Sequence, residues 1–402
     1  MWRYLCKSRN EFSNHFNGLA AAGFILPNGK RPTKFQIFWF LTVWSCYFLF
    51  IFLTMVEFFV QPYHLRRTLF TIFMANNGFQ TLFRPIQLIL SKRRFEQLLV
   101  AFEVEPDEAC EQISLDERKM REHSTKRILK FSAILYSYNT LLLLRTVIPA
   151  IVRMVKVSIC EHKPDSCDEE STPLYIVDFW WFTDRFATPT YYYLFTYDVI
   201  CVSIYILIFC ASDAFTCSAM VALVERGDFL IRMAPKALLP GPRGQMTPMF
   251  EAWIKYHQHY EELVKMVNKA IGPLVLLTHV FAAGNIMVYV FLILKDKELE
   301  IRELAFSFLS ATAIQFFMYA YWGQQVINKG DELSRATLTA NQVAEGAYQE
   351  GPARLALMVV MARCCGKSRS AISGMGFFRV SLEFYARIFS LSLSYLLIVL
   401  QF

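Results

Sequence analysis

The sequence predicts an all-α membrane protein that crosses the bilayer with seven transmembrane helices. Of its 402 residues, 55% are hydrophobic and only 19% are charged, and the mean hydropathy is positive. Soluble domains carry about 25% charged residues, so this composition belongs to the membrane class. Several mainly apolar stretches of about 20 residues or more, the length that crosses about 30 Å of hydrocarbon, account for the helices.

The predicted spans are distributed along the whole chain. The second and third contain polar residues in their interiors, namely Asn76, Asn77, Arg84 and Arg145. Charges at membrane depth are costly and usually face a cavity or each other. The spans cover residues 35–60, 68–90, 128–156, 186–211, 270–294, 303–326 and 374–402.

Loop charges predict a cytoplasmic N-terminus and an extracellular C-terminus. The loops on one side contain 20 Lys and Arg residues, and those on the other side contain 7. Cytoplasmic loops are enriched in positive residues, so the richer side faces the cytoplasm. The richer set is 1–34, 91–127 and 223–267, and the poorer set is 61–67, 157–185 and 295–302. This orientation is the reverse of that of a G-protein-coupled receptor.

Several helices are expected to extend below the membrane into a cytoplasmic anchor region. The stretch "MFEAWIKYHQHYEELVKMVNKAIG" is amphipathic and runs directly into the fifth span, which predicts one long continuous helix. A further cytoplasmic helix is predicted in "GPARLALMVVMARC", because Pro352 is suited to the first helical turn.

The sequence contains no motif of an enzyme. A Gly-rich phosphate loop, a His-Glu-x-x-His pair and a nucleophile elbow are all missing from it, and His257 and His259 point to different faces of a helix. No cofactor, metal site or nucleic-acid partner is expected. Cys160 and Cys167 lie in a predicted extracellular loop, where an oxidising medium permits a disulfide. A bridge and two free thiols are equally compatible with the sequence.

Arg145 and Asp198 are predicted to lie at the same depth in the membrane. Counted along their spans at about 1.5 Å per residue, both are roughly 16–18 Å below the outer surface. Two interpretations remain open: an ion pair that only fixes helix register, or an ion pair that forms the floor of an outward-facing cavity.

Aromatic and amide side chains in the outer halves of several spans predict a ligand pocket. Apolar walls with a few hydrogen-bonding groups suit a small, volatile, weakly polar organic molecule. Each residue taken singly is also compatible with an ordinary packing role. The candidate ligand-binding residues are Phe73, Asn76, Asn77, Tyr138, Leu142, Arg145, Tyr192, Phe195, Phe308 and Thr312.

The C-terminal third resembles the insect odorant receptors. The resemblance covers about 150 residues. It rests on the aromatic stretch before Gly323, the "SGMGFF" turn, the "SLE" that opens the last helix, and "WIKYHQHYEELVKMVN" before the fifth span. The ending "SYLLIVLQF" also fits the related gustatory receptors, apart from Ser394 in place of Thr. The loop between spans four and five is too short for the shared co-receptor of the family, which favours an odorant-specific subunit.

The resemblance implies a tetrameric, non-selective cation channel that opens when an odorant occupies the outward-facing pocket. Its partners would be the co-receptor subunit, a volatile ligand, membrane lipid and permeating cations, in the plasma membrane of sensory neuron dendrites. Residues 1–34 would be cytoplasmic, 35–345 would form spans one to six with the pocket, and 346–402 would form an anchor helix and the pore-lining seventh helix. The implied pore residues are Leu391, Ser394, Ile398 as the gate, Gln401 and Phe402.

Two other functions remain compatible with the sequence. A gustatory-type channel would work as a homomer without a co-receptor. A seven-helix transporter or a metabotropic receptor would show uptake or a slow response in place of a fast conductance. Arg387 extends the pore stripe inward, where it faces either a solvated vestibule or a neighbouring subunit.

Overall fold

The computed structural model places most of the chain in long helices. The predicted helix behind Pro352 and the loop residue Cys167 fall outside the described residues, and so does a Cys160–Cys167 disulfide. The structure describes residues 12, 33–60, 65–103, 111–162, 181, 182, 184, 187, 189–237, 247–295, 299–344 and 370–401.

Helices make up nearly all of this part of the chain, and it contains no β-strand beyond an isolated bridge between Ser373 and Arg379. The prediction of an all-helical fold is therefore confirmed. In chain order the helices are α1 (Lys34–Val60), α2 (Leu65–Leu90), α3 (Lys92–Glu103), α4 (Glu111–His162), α5 (Thr190–Ala237), α6 (Pro248–Lys295), α7 (Leu299–Ala344) and α8 (Leu382–Gln401).

Helices α4 to α7 are much longer than a membrane crossing requires. They contain 46 to 52 residues each. At about 1.5 Å per residue each spans roughly 70–80 Å, more than twice the hydrocarbon thickness. The predicted continuous helix through the fifth span is confirmed, because α6 runs without a break from Pro248 to Lys295.

Three of the described helices are long and apolar enough to cross a membrane by length and composition alone. They are Lys34–Glu57 in α1, Thr190–Ala237 (α5) and Pro248–Lys295 (α6). The spans predicted in α2, α4 and α7 carry more polar side chains, including Arg84 and Gln315, which are buried between helices.

Most of the largest hydrophobic core lies beyond the predicted crossing segments, although its edge continues into four of them. It is built from α3, the first part of α4, the second half of α5, the first part of α6 and the second half of α7. Trp253 of α6 illustrates the packing, because its ring is buried and its indole Nε1 donates a 3.0 Å hydrogen bond to the carbonyl of Leu230 in α5. The helix extensions therefore form a well-packed base for the apolar half of the bundle.

The last helix begins later than the bound of the predicted seventh span, at the "SLE" segment that the family resemblance gives as its opening. The seventh span was expected to start at residue 374, but α8 begins at Leu382. Met375 and Gly376 both have positive φ angles, 52° and 85°, which a helix does not accommodate. The hydroxyl of Ser381 then caps α8 by accepting a 3.2 Å hydrogen bond from the backbone N–H of Phe384.

Residues 370–381, here called the pre-α8 turn, are fixed against α6 and α7. Asn268 of α6 donates to the carbonyl of Ala371 and accepts from the N–H of Ser373, both at 2.7 Å. On α7 the turn approaches two glycines. A Cβ at Gly323 would lie 2.7 Å from Cγ1 of Val380 and even closer to its carbonyl oxygen, and one at Gly330 would lie 2.6 Å from Cβ of Ser370.

We expect Gly323→Ala to destabilise the protein, because the added methyl group displaces the backbone of the pre-α8 turn. Overpacking of this kind costs about 1–3 kcal/mol. The matched control is Gly284→Ala in α6, whose Cβ would meet only the side chain of Asn76, at 3.9 Å. Thermal unfolding of the purified protein in detergent should show a lower melting temperature for Gly323→Ala alone. Equal melting of the two variants would contradict the close contact.

Candidate functional site

A cavity lies between α2, α4, α5, α6 and α7. Its volume is about 50 Å³, on a scale on which one water molecule needs about 10–15 Å³. Apolar side chains from α4, α5 and α7 form much of its wall, and amide and hydroxyl groups interrupt them. The lining residues are Asn77, Gln80, Leu135, Tyr138, Asn139, Leu142, Tyr205, Ile206, Phe209, Asp213, Ala282, Asn285, Tyr289, Phe308, Ala311, Thr312, Ile314 and Gln315.

The cavity brings together half of the candidate ligand-binding residues from three separate helices. The side chain of Phe73 lies outside the described part of α2. Whether any of the lining residues binds a ligand stays a prediction. The candidate ligand-binding residues that line the cavity are Asn77, Tyr138, Leu142, Phe308 and Thr312.

Two further candidate residues, Tyr192 and Phe195, belong to a hydrophobic cluster that is separate from the cavity. They pack around Tyr191, with Phe50 and Leu53 of α1 in the same core. The cavity-lining residues of α5 begin only at Tyr205. Phe195 lies ten residues before this position, which is about 15 Å along a helix. Neither Tyr192 nor Phe195 therefore lines this cavity.

A chain of three amides joins α2 to α6 beside the cavity. Asn76 donates to the side-chain oxygen of Asn285 at 2.6 Å and to the carbonyl of Phe281 at 3.3 Å. Asn285 in turn donates to the side-chain oxygen of Asn77 at 2.8 Å. Asn76 does not line the cavity itself, but it holds in place two residues that do.

The predicted ion pair between Arg145 and Asp198 is not formed. Arg145 is more than half exposed, and its guanidinium lies 3.8 Å from the carboxylate of Glu303 on α7. Asp198 is completely buried. Equal depth does not fix the direction in which a side chain leaves its helix, and here the two residues occupy different environments. Both interpretations of that pair are therefore wrong.

A buried ion pair joins Arg84 of α2 to Asp213 of α5. The guanidinium Nη1 lies 2.7 Å from a carboxylate oxygen of Asp213, with both side chains almost inaccessible to solvent. Arg84 also donates to the carbonyl of Phe209 at 3.0 Å, and its guanidinium lies 4.0 Å from the centre of the Phe209 ring. The guanidinium contacts Thr278 of α6 at 3.5 Å.

Asp213 accepts two further hydrogen bonds, both from α7. The amide of Gln315 donates to one carboxylate oxygen at 2.6 Å, and the hydroxyl of Tyr319 donates to the other at 2.8 Å. The carboxylate thus binds groups from α2 and α7 and lines the cavity at the same time. A sequence signal existed for this pair, since both charges lie in or next to predicted apolar spans, but nothing in the sequence identified them as partners.

The side of α8 that should face the pore is exposed in the single chain. Leu391 and Ser394 are both exposed. The side chains of Ile398 and Gln401, and Phe402 as a whole, lie outside the described residues. Arg387 forms an ion pair with Glu383 one turn earlier, so its charge is balanced within α8.

A second ion-pair cluster connects α5 and α7 beyond the predicted crossing segment of α7. Lys329 lies 2.8 Å from Asp228 on α5 and 2.6 Å from Glu332 on its own helix. Partial burial lowers the pKa of Lys329, but its hydrogen bonds to both carboxylates outweigh this effect, so the pKa is raised overall. Lys329 therefore stays protonated.

No group of residues suited to a metal ion occurs in the part of the chain that the structure describes.

We expect Arg84→Met to lower the free energy of unfolding strongly, by about 3–5 kcal/mol, because it leaves the buried Asp213 carboxylate without a counter-charge. The double variant Arg84→Met/Asp213→Asn should recover much of this loss, since Asn keeps an acceptor for Tyr319 and removes the charge. Lys126→Met, which breaks the exposed pair with Glu122, is the control and should change stability by less than about 1 kcal/mol. Thermal unfolding in detergent measures all three. Equal losses in Arg84→Met and Lys126→Met would contradict the role of the buried pair.

Comparisons with known proteins agree with this architecture. A family model described as 7tm Odorant receptor matches residues 64–393. The structure of the insect olfactory receptor OR5 from Machilis hrabei in complex with eugenol matches with a TM-score of 0.80 and 17% identity, covering 99% of both chains. A second structure of that receptor matches with a TM-score of 0.76 and 16% identity, covering 100% of this chain and 99% of the other. No curated protein sequence matches significantly. Because the family model covers most of its length, the chain belongs to the 7tm Odorant receptor family.

Proposed function

We propose that the chain is a subunit of an odorant-gated, non-selective cation channel. The observation that carries the proposal is the cavity between five helices of a chain in the odorant receptor family. Its walls combine apolar side chains with amides and hydroxyls, as in sites for small organic molecules. The structurally similar receptor from Machilis hrabei was solved with eugenol, which supports a small organic ligand here.

The proposed topology follows the charge of the loops. Seven crossings place residues 1–34 in the cytoplasm and the C-terminus outside the cell, in the plasma membrane of a sensory neuron dendrite. The long extensions of α4 to α7, with their separate hydrophobic core, support a cytoplasmic anchor region. The apolar side chains exposed on α1 and α4, such as Phe52 and Leu141, support contact with lipid.

The proposed pore is lined by α8 in a tetramer with the family's co-receptor subunit. Leu391, Ser394 and Ile398 follow one another at helical spacing and form one stripe. A ring of apolar side chains at Ile398 closes a narrow pore by excluding water and conducts when the ring widens. The ion pair of Arg387 with Glu383 removes the difficulty of an unbalanced cationic ring in a cation pore.

Occupancy of the cavity is coupled to α8 through a continuous set of contacts in this proposal. Tyr319, which bonds the cavity-lining Asp213, has its ring 5.7 Å from the ring of His279. His279 lies 5.1 Å from Phe378 in the pre-α8 turn and 5.9 Å from Phe384 in α8. The last two rings stack at 4.1 Å. A ligand that prefers the open arrangement then shifts the population of the channel towards it.

Co-expression with the co-receptor should give odorant-evoked currents, and the current should depend on residue 398. Replacing Ile398 by Gln makes the proposed ring polar, so we expect a larger current without ligand because water no longer leaves the closed pore. Patch-clamp recording of basal and evoked current measures the effect. Unchanged currents in Ile398→Gln would remove this residue from the gate. Evoked current without any co-receptor would instead indicate a homomeric channel.

Two tyrosines provide a matched test of the ligand pocket. Tyr138→Ala should change the order in which odorants activate the channel, because its ring lines the cavity. Tyr192→Ala should leave that order unchanged, because Tyr192 packs in the cluster around Tyr191. Concentration–response curves for a panel of odorants measure both variants. A changed order in Tyr192→Ala but not in Tyr138→Ala would place the pocket near the start of α5.

A further inference from the structure

Gln80 of α2 is a buried polar residue in the cavity wall, and its side-chain amide nitrogen is unpaired within the described part of the chain. It is 2% exposed and lies one turn from Asn77 and one turn from Arg84, both of which are hydrogen-bonded. The Nε2 of Gln80 has no partner among the described residues. Buried polar groups in folded proteins are almost always hydrogen-bonded, so an exception in the wall of a cavity needs an explanation.

The other side-chain amides of the cavity wall are already bonded within the protein. Asn77 and Asn285 bond each other, Gln315 bonds Asp213, and Asn139 donates to the carbonyl of Leu135 at 2.9 Å in its own helix. Each of these amides therefore already has at least one partner within the protein. Gln80 is instead the lining amide whose buried Nε2 has no partner among the described residues, so a ligand that bonds it satisfies a donor that is otherwise unpaired.

The cavity offers no unbalanced charge to a ligand. Its carboxylate, Asp213, is paired with Arg84 and accepts two more hydrogen bonds from α7. An ammonium or carboxylate ligand would lose its hydration without gaining a counter-ion, which is costly in a buried site. A neutral molecule with an oxygen atom has no such cost and can bond the Gln80 amide, which carries both donors and an acceptor.

We propose that Gln80 is the residue that selects compact, neutral, oxygen-containing odorants over hydrocarbons of the same shape. The ligand oxygen bonds the Gln80 amide, and the carbon skeleton contacts apolar wall residues such as Leu142 and Phe308. This inference rests on the proposed function, because it takes the cavity as the odorant site. A site built to hydrogen-bond a ligand group rejects the analogue that lacks it, since the buried amide is then left unpaired.

The test compares ligand pairs that differ only in one oxygen. The probes are 2-heptanone with 2-methyl-1-heptene, dibutyl ether with nonane, and 1-hexanol with heptane. For wild type expressed with the co-receptor, we expect at least one oxygenated member to activate at a concentration about ten-fold below that of its hydrocarbon partner. A ten-fold ratio corresponds to 1.4 kcal/mol. Gln80→Met, of similar length without hydrogen-bonding groups, should reduce that ratio to near one.

Two further variants make the result specific. Gln87→Met is the matched control, because Gln87 lies two turns further along α2, bonds Ser91 and does not line the cavity. It should keep the wild-type ratio. Gln80→Asn keeps the amide but shortens it, and it should give an intermediate ratio. A Gln80→Met variant that still responds to hydrocarbons is folded and assembled.

Failure of this inference differs from failure of the proposed function. Currents with equal potency in every pair for wild type, or an unchanged ratio in Gln80→Met, would overturn the role of Gln80 and leave the channel assignment intact. If no probe evokes current, the same pairs are compared by thermal shift of the purified protein. A larger stabilisation by the oxygenated member in wild type and Gln87→Met, but not in Gln80→Met, then supports the inference. Equal stabilisation in all three overturns it.

Discussion

The ion pair between Arg84 and Asp213 is the interaction on which the arrangement of the apolar half of the bundle depends. Two opposite charges buried among membrane helices stabilise each other only at short range and with good geometry, and removing either one leaves the other without compensation. Here the pair is completed by donors from α7, so α2, α5 and α7 share one hydrogen-bonded centre. Their relative register is fixed by that requirement.

The Arg84–Asp213 centre also connects the cavity to the last helix through a chain of side-chain contacts. Asp213 lines the cavity, while Tyr319, which bonds it, lies against the aromatic cluster around His279 that receives the pre-α8 turn. A rotation of α7 large enough to admit a ligand cannot keep both contacts unchanged. Packed aromatic clusters change between discrete arrangements instead of deforming smoothly, which suits a channel with closed and open states.

The sequence predicted the fold better than it predicted the site. Apolar runs and amphipathic extensions are local patterns, so the helical fold and the unbroken α6 could be predicted from them. Hydropathy placed the start of α8 too early, because the hydrophobic stretch continues through Met375 while the backbone turns there. The "SLE" segment of the family resemblance marked the start correctly. Partners across the bundle depend on which face of each helix meets its neighbour. The prediction that Arg145 pairs with Asp198 used only their estimated membrane depth. It therefore missed the observed pair, Arg84 with Asp213.

The distribution of packing explains how one chain can contain both a stable fold and an unsatisfied amide. Between helices in lipid there is little hydrophobic driving force, and hydrogen bonds in that environment contribute only about 0.6 kcal/mol each on average. Most of the extensive core around Trp253 and Leu230 lies instead in the helix extensions, where burial from water stabilises strongly. With stability supplied there, the bundle above can tolerate a cavity and leave Gln80 without a partner. The polar groups of that half then determine which helices meet and which ligand fits.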